Sequence, residues 1–226
     1  YSRLNDLLKK VPQDKEPMKL PDPLGAVSVE GILVVPPGGK VPVVKNVSFA
    51  IEKGQLIGVI GPSGAGKSTL ARAILGIWPI HSGSVRLDGA NVAQWEREAL
   101  GPFIGYLPQD VELFQGTISE NIARFGEVDA EKVVAAAIKA DVHEFILRLP
   151  DGYDTIISAT GGVLSGGQRQ RIGLARAIYG ETRLIVLDEP NSNLDDQGEQ
   201  ALMRALATLK SEQVTVIIIS HRPSVL

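Results

Sequence analysis

The stretch "GPSGAGKST", residues 61–69, decides how the rest of the chain is interpreted. It fits the pattern G-x-x-x-x-G-K-[ST], in which glycines let successive backbone N–H groups curl around a phosphate. The run "QLIGVIG" (55–61) before it is apolar, which predicts a strand buried on both faces of a sheet. The run "STLARAILGIW" after it has helical periodicity. A strand, a glycine-rich loop and a helix in this order predict a site for the phosphates of a nucleotide.

Each residue type in this loop has a role in phosphate chemistry. The ammonium of Lys67 is expected to reach the β- and γ-phosphates, and the hydroxyl of Ser68 to bind Mg²⁺. The other predicted nucleotide contacts are the loop residues Gly61, Pro62, Ser63, Gly64, Ala65, Gly66 and Thr69. A glycine-rich turn capped by serine is the alternative, and it leaves the strand, loop and helix order unexplained.

A second acidic motif follows an apolar run at "RLIVLDEP" (183–190). Ligands of parallel sheets bind at the carboxyl ends of the strands, where Asp188 and Glu189 are predicted to lie. Asp188 is expected to hold Mg²⁺, and Glu189 to orient and deprotonate the attacking water. Without the phosphate-binding loop, the acidic pair would fit a solvated turn equally well.

The stretch "GGVLSGGQRQRIGLARAI" (161–178) contains a second device suited to phosphate. Ser165 and Gln168 form a Ser-x-x-Gln capping box at the start of a basic helix. Gly166 and Gly167 follow the cap, although glycine costs a helix interior about 1 kcal/mol per residue relative to alanine. Glycines at a helix start do, however, leave room for a phosphate to approach the backbone N–H groups.

Composition narrows the class of protein. The 226 residues include no cysteine, which excludes disulfides and zinc sites built on cysteine. A net charge of −3 disfavours a general nucleic-acid-binding role. Strand-like runs alternate with helical ones, which predicts an α/β fold with a mostly parallel sheet. A helical insert is predicted over 117–149, starting with a capping box at Thr117 and Glu120.

Three motifs together resemble those of one family. The phosphate-binding loop at 61–68, "LSGGQ" at 164–168 and "LIVLDE" at 184–189 have the order and spacing of ABC-type ATPases. The chain resembles the nucleotide-binding domain of an ABC transporter over about residues 24–226, ending before the family's usual C-terminus. The resemblance implies a P-loop NTPase fold of ABC type, with a mostly parallel sheet core, an antiparallel β subdomain and a helical subdomain at about 110–165. Residues 1–23 are interpreted as the end of a membrane-domain helix followed by a proline-rich linker.

The resemblance also implies partners and further site residues. Two copies are expected to pair head to tail, so that each MgATP lies between one copy's P-loop and the other copy's Ser165, Gly166, Gly167 and Gln168. Gln109 in "YLPQD" resembles a glutamine that senses Mg²⁺ and the γ-phosphate and faces the membrane domain of the same full-length chain. Asp195 in "SNLD" resembles a residue that communicates across the dimer. His221 resembles the histidine that binds the γ-phosphate.

One position departs from the family pattern. The family usually stacks an aromatic residue on adenine, and the matching position here is Val35 or Pro36, with no aromatic residue nearby. Adenine is therefore expected to meet an aliphatic or proline surface, which puts base-specific affinity in doubt but not phosphate chemistry.

Several stretches, among them "LPQDVELFQGTISENIARFG" and "LDEPNSNLD", resemble the type I secretion exporters of bacterial proteases and lipases. That resemblance implies an unfolded polypeptide substrate, a periplasmic adaptor, an outer-membrane channel and a place at the cytoplasmic face of the bacterial inner membrane. One alternative is a soluble ABC ATPase acting on nucleic acid or ribosomes. It is disfavoured by the acidic pI of about 5.7 and by the compact span of 56 positions from Gln109 to Ser165. The other is a non-hydrolysing, ATP-gated interaction module, which Glu189 and His221 disfavour.

Overall fold

The computed structural model describes residues 20–158 and 164–221. The helix predicted near the start of the chain lies outside these residues. The described strands are β1 Val27–Val34, β2 Val44–Ile51, β3 Leu56–Ile60, β4 Ser82–Leu87, β5 Ala90–Asn91, β6 Ile104–Leu107, β7 Gly116–Thr117, β8 Ile156–Ile157, β9 Leu184–Asp188 and β10 Thr215–Ser220. The helices are α1 Lys67–Ile74, α2 Arg97–Leu100, α3 Ile118–Ile122, α4 Ala130–Lys139, α5 His143–Leu147, α6 Gly166–Ile178 and α7 Asp196–Ser211.

A parallel sheet in the order β3-β10-β9-β6 forms the centre of the fold. Its two middle strands, β9 and β10, are buried at every position, which explains their unbroken apolar runs. The carboxyl ends of all four strands meet at one edge of the sheet. The chain segments that follow β3, β6, β9 and β10 therefore start from that edge, and they carry the motif residues.

Side chains of the central strands alternate between two cores. Val186, Ile217 and Ile219 pack with α1 and the antiparallel sheet on one face. Ile185, Val216 and Ile218 pack with α3, α4, α6 and α7 on the other. This period of two is the geometry of a strand buried on both sides. The predicted α/β fold with a mostly parallel core sheet is confirmed.

A second, antiparallel sheet has the order β2-β1-β4-β5. Strands β1 and β2 are joined by a turn in which Gly39 donates a backbone hydrogen bond to the carbonyl of Pro36 at 2.9 Å. The segment that returns from this turn brings Val43 against the phosphate-binding loop, since a Cβ at Gly66 would lie 2.7 Å from Cγ1 of Val43. The antiparallel sheet thus forms one wall beside that loop.

The expectation that β3 is buried on both faces is wrong. Within the described residues β3 is the edge strand of its sheet, and its five positions are half-buried or exposed, with Ile60 48% exposed. An edge strand has a neighbour on one side only, so the apolar run alone does not show how deeply it lies.

Within the helical insert predicted over 117–149, the structure divides the alanine-rich run at 129–149 into α4 and α5. Asp141 between them has φ 54°, a left-handed conformation that ends the first helix. The break turns Val142 into the core, where it is fully buried. Within the described residues, no helix is both long and apolar enough to cross a lipid bilayer.

Candidate nucleotide-binding site

The loop between β3 and α1 has the conformation that phosphate binding needs. Gly64 and Gly66 have φ of 79° and 91°, values that residues with a Cβ rarely adopt. Gly66 immediately precedes α1, so the backbone N–H groups of the first helical turn are free to face a ligand. The Nζ of Lys67 donates to the carbonyl oxygens of Gly61 and Pro62 at 2.8 and 3.1 Å, which folds its ammonium back over the loop.

A cavity of about 390 Å³ opens at the carboxyl edge of the central sheet. Five parts of the chain contribute to it: the segment that leads into β2, the loop with α1, the segment after β6, the end of β9 and the end of β10. Its lining consists of Val43, Ser63, Gly64, Gly66, Lys67, Ser68, Thr69, Gln109, Glu189 and His221. Residues separated by more than 150 positions in the sequence thus share one cavity, which we call the loop pocket.

Glu189 is held in an unusual conformation at the floor of the loop pocket. Its backbone has φ 50°, and its N–H donates to the carbonyl of Ile219 at 2.9 Å. Strained backbone at a non-glycine residue is typical of functional sites, where the surrounding structure maintains it. The side chain is 8% exposed, and its Oε2 lies 2.7 Å from Nδ1 of His221, whose side chain is half exposed. The carboxylate is therefore buried at the sheet edge but linked to a group that reaches the pocket.

Asp188, one residue earlier, lies deeper and is 1% exposed. Burial raises the pKa of its carboxyl, while hydrogen bonding from Ser68 and the nearby Arg72 and Lys67 lower it. Its Oδ1 finds no hydrogen-bond partner among the described residues. A buried carboxylate oxygen without a partner, next to a serine hydroxyl, is a donor set that suits a hard divalent cation such as Mg²⁺.

The second predicted phosphate-binding motif, "LSGGQ" at 164–168, borders a separate cavity, also of about 390 Å³, which we call the signature pocket. It is lined by Val142, Phe145, Ser165, Gly167, Gln168, Arg171, Asn193 and Asp195. The predicted capping box is present: Ser165 Oγ accepts from the N–H of Gln168 at 3.2 Å, and Gln168 Oε1 accepts from the N–H of Ser165 at 2.7 Å. Asp195 caps α7 through the N–H of Gly198 at 2.8 Å.

The two pockets have no lining residue in common. The structure brings Lys67, Ser68, Gln109, Glu189 and His221 together in the loop pocket, with Asp188 buried next to Ser68. It does not bring Ser165, Gly167, Gln168 or Asp195 to them. A mainly apolar cavity of about 440 Å³ beside Trp95 and Leu100 contains none of the predicted site residues.

Sequence reasoning missed residues in both pockets. Val43 is the one hydrophobic side chain of the described loop-pocket lining, and its place there follows from the close approach of the segment before β2 to Gly66. Arg171 lies in the signature pocket and reaches Asp195 Oδ1 at 3.6 Å. Its position one helical turn after Gln168 in a basic helix could have predicted that Arg171 lies in the same pocket as Gln168. Asn193 lies in the quoted motif "SNLD" but was not singled out, and Phe145 had no signal, because its placement depends on packing between segments distant in sequence.

The comparisons with known proteins agree with this geometry. The family model described as "ABC transporter" matches residues 44–192, about two thirds of the chain. The chain belongs to the ABC transporter family. It is 56% identical, over its whole length, to 39% of the "Type I secretion system ATP-binding protein PrsD" of Rhizobium meliloti (strain 1021). It is 38% identical over 88% of its length to 34% of the "ATP-dependent lipid A-core flippase" of Coxiella burnetii (strain RSA 493 / Nine Mile phase I).

Among solved structures, the chain matches "Structure of a bacterial Atm1-family ABC exporter with ATP bound", with a TM-score of 0.82 and 30% identity over 98% of this chain and 40% of that one. The predictions of an ABC-type P-loop fold and of the ATP-binding domain of an ABC exporter, which places it among transport ATPases, are confirmed. The chain spans between about a third and two fifths of the length of these relatives.

Proposed function

We propose that this domain binds MgATP in the loop pocket, pairs head to tail with a second copy, and hydrolyses ATP at the shared interface to drive export. One observation supports the pairing above all others. The two predicted phosphate-binding motifs lie in two pockets, and no described residue lines both. Among the described residues that line the signature pocket there is neither a lysine nor a carboxylate pair suited to hydrolysis. A copy turned head to tail would place one chain's signature pocket over the other chain's loop pocket, which is the symmetric arrangement expected of a homodimer.

In this proposal the phosphates lie against the backbone N–H groups at the start of α1 and the ammonium of Lys67. Ser68, Asp188 and Gln109 are the residues that would hold Mg²⁺, which supplies positive charge to the phosphate oxygens when bound. His221 projects into the same pocket and would contact the γ-phosphate. These groups are fixed before the reaction, so they stabilise the charge that develops on the transferring phosphoryl group.

Glu189 is the proposed general base. Its carboxylate takes a proton from water as the water oxygen bonds to the γ-phosphorus, and the bond from that phosphorus to the β,γ-bridging oxygen breaks, releasing ADP and phosphate. The contact with His221 orients the carboxylate, because Oε2 and Nδ1 lie 2.7 Å apart. Ser165, Gly166, Gly167, Gln168 and Asp195 of the second copy would complete the enclosure of the nucleotide.

The concentration dependence of turnover tests this pairing. Phosphate release per chain is expected to rise with protein concentration, because each active site needs two copies. A turnover per chain that is measurable but constant over a thousandfold range of concentration would contradict the shared site. No turnover at any concentration, together with ATP binding, would favour the non-hydrolysing module instead.

We further propose that the full-length protein is a type I secretion exporter. The support is the 56% identity over the whole chain to a relative described as a type I secretion ATP-binding protein. The proposal includes an unfolded polypeptide as substrate, a membrane domain in the same chain, a periplasmic adaptor, an outer-membrane channel, and a place at the cytoplasmic face of the bacterial inner membrane. It includes no nucleic acid.

The extracellular proteins of the parent bacterium test this second proposal. Replacement of the chromosomal gene by a Glu189→Gln version should remove specific polypeptides from the medium while leaving them detectable inside the cell. A set of extracellular proteins unchanged by the substitution would contradict a role in secretion.

A further inference from the structure

Arg124 makes an unusual set of contacts in the helical part of the chain. It follows α3, and it and Phe125 both have φ 58°, so the backbone reverses at this point. Its guanidinium donates to six oxygen atoms at 2.8–3.3 Å: the carbonyls of Gly101, Ile104, Arg176, Ala177 and Tyr179 and the hydroxyl of Thr182. None of these acceptors is a carboxylate, and within the described residues no acidic side chain pairs with Arg124.

These acceptors belong to the ends of two elements. Three of the carbonyls lie at the C-terminal end of α6, where the last carbonyls of a helix have no partner within the helix and carry partial negative charge. Two others lie at the start of β6, at Ile104 and just before it. Burial lowers the pKa of Arg124 to about 10, so the guanidinium remains charged at neutral pH. A single cation thus ties the end of α6 to the start of β6.

The backbones also touch at this junction. A Cβ on Gly105 in β6 would lie 2.0 Å from the carbonyl oxygen of Ala177, so only glycine permits this approach. Further along, a Cβ on Gly173 would meet Val111 at 2.7 Å, in the segment just after Gln109. Helix α6 therefore lies in close contact with β6 and its continuation, and Arg124 fixes the end of that contact.

The opposite ends of the two elements carry proposed site residues. Ser165 caps the start of α6 in the signature pocket, and Gln109 follows β6 by two residues in the loop pocket. We propose that Arg124 is a positioning residue: by clamping α6 to β6 it sets the place of the signature serine relative to the loop pocket. This inference rests on the function proposed above and assigns no direct contact between Arg124 and nucleotide.

The length of α6 shows why the clamp matters. Its 13 residues span about 20 Å at 1.5 Å per residue. A tilt of about 5° around the Arg124 end would displace Ser165 by about 1.7 Å over that length. A misplacement of about 1 Å can reduce catalysis about a hundredfold. None of the hydrogen bonds given above joins Arg124 to α1 or to the loop at 61–66, and Arg124 is not among the described residues that line the loop pocket, so nucleotide binding by a single copy should be unaffected.

The test compares Arg124→Met and Arg124→Lys with wild type and with Arg86→Met, which removes the same charge from a partly exposed side chain on β4 of the antiparallel sheet. We expect kcat to fall at least tenfold in Arg124→Met and less in Arg124→Lys, which keeps the cation but has fewer donors. The Kd for a fluorescent ATP analogue, measured at dilutions where the chain is monomeric, should stay within about twofold of wild type in every variant.

A kcat close to wild type in Arg124→Met would overturn the inference. So would an equal loss of kcat and of monomer binding in Arg124→Lys, because a general loss of structure predicts that pattern. If thermal unfolding shows that Arg124→Met does not fold, the Arg124→Lys comparison decides the question. Wild type is assayed in the same experiment, so that a failure of this inference can be told apart from a failure of the proposed function. If turnover per chain in wild type is absent, or does not change with protein concentration, the shared site is contradicted whatever the variants do.

Discussion

An aspartate at Gly167 should abolish turnover while leaving the fold intact. Gly167 is the second residue of α6, and a Cβ there would lie 3.1 Å from the carbonyl oxygen of Asn193, a tight contact that needs a shift of a few tenths of an ångström. An acidic side chain in the first helical turn gains about 0.3–1 kcal/mol from the helix dipole. The two effects oppose each other. We therefore expect a change in the free energy of unfolding of at most about 1 kcal/mol, or about 2–4 °C in Tm for a chain of this size.

The effect on catalysis should be much larger. If two copies pair as proposed, the new carboxylate faces the γ-phosphate bound by the other copy. Two unit charges about 4 Å apart interact by about 4 kcal/mol at an effective dielectric constant of 20. That repulsion corresponds to roughly a thousandfold loss of turnover, at about 1.4 kcal/mol per tenfold. The loop pocket of the same copy contains no part of α6, so its own affinity for ATP should not change.

The assay pairs phosphate release with ATP binding at a protein concentration that keeps the chain monomeric. Gly126→Asp is the matched control: it adds the same charge at an exposed glycine whose Cβ would meet only the Ala123 carbonyl, at 3.5 Å. The reasoning is refuted if Gly167→Asp binds ATP much more weakly as a monomer. It is equally refuted if that variant hydrolyses ATP within about tenfold of wild type.

Three further predictions concern the loop pocket. Glu189→Gln keeps the shape of the side chain and its contact with His221, so this variant should bind ATP normally. Its kcat should fall by about 10²–10⁴-fold, and an ATP-dependent dimer should accumulate on size-exclusion chromatography. A kcat near that of wild type would exclude the general-base role. Asp188→Asn removes a buried charge that burial disfavours, so in EDTA it should unfold at a higher temperature than wild type. With Mg²⁺ and with ATP at about 100 times its Kd, the free energy of unfolding of wild type should rise by about 2.7 kcal/mol, and that of Asp188→Asn should not. Because Val43 is the only hydrophobic side chain of the described lining, the KM values of wild type for ATP and for GTP should lie within about threefold of each other. Pro36→Tyr should lower the KM for ATP, since stacking of an aromatic side chain on a base contributes about 1–3 kcal/mol. A strong preference of the wild type for ATP would show that another residue reads the base.

The predictions from sequence succeeded where short patterns determine structure. The apolar run in 183–190 was predicted to be a parallel strand with Asp188 and Glu189 at its carboxyl end, and β9 spans Leu184–Asp188, because a strand buried on both faces needs an unbroken apolar run. The capping boxes at Thr117 and Ser165 were predicted from four residues each, and both form.

The features that sequence analysis predicted wrongly or missed depend on contacts between segments that are distant in the sequence. Nothing within "QLIGVIG" shows that β3 is an edge strand, because strand order follows from the whole sheet. No strong helix breaker marks the end of α4, and the left-handed Asp141 is stabilised by the burial of Val142. Arg124 has no sequence signal at all, since five of its six acceptors are backbone carbonyls, which every residue type provides. Glu189 was expected at the carboxyl edge of the sheet from its own strand, whereas Gln109 and His221 were expected near it only through the family resemblance. All three meet there because the strands that precede them are parallel.

Mixing two inactive variants tests the central claim, a site shared by two copies, most directly. Lys67→Ala disables the loop pocket, and Gly167→Asp disables the signature pocket, so neither variant alone should release phosphate above background. In a mixed dimer the loop pocket of the Gly167→Asp chain faces the intact signature of the Lys67→Ala chain, and the other site has both defects. With random pairing about half of the dimers are mixed and each has one intact site, so an equimolar mixture should recover up to about a quarter of the wild-type turnover. No recovery from variants shown to associate would contradict the account.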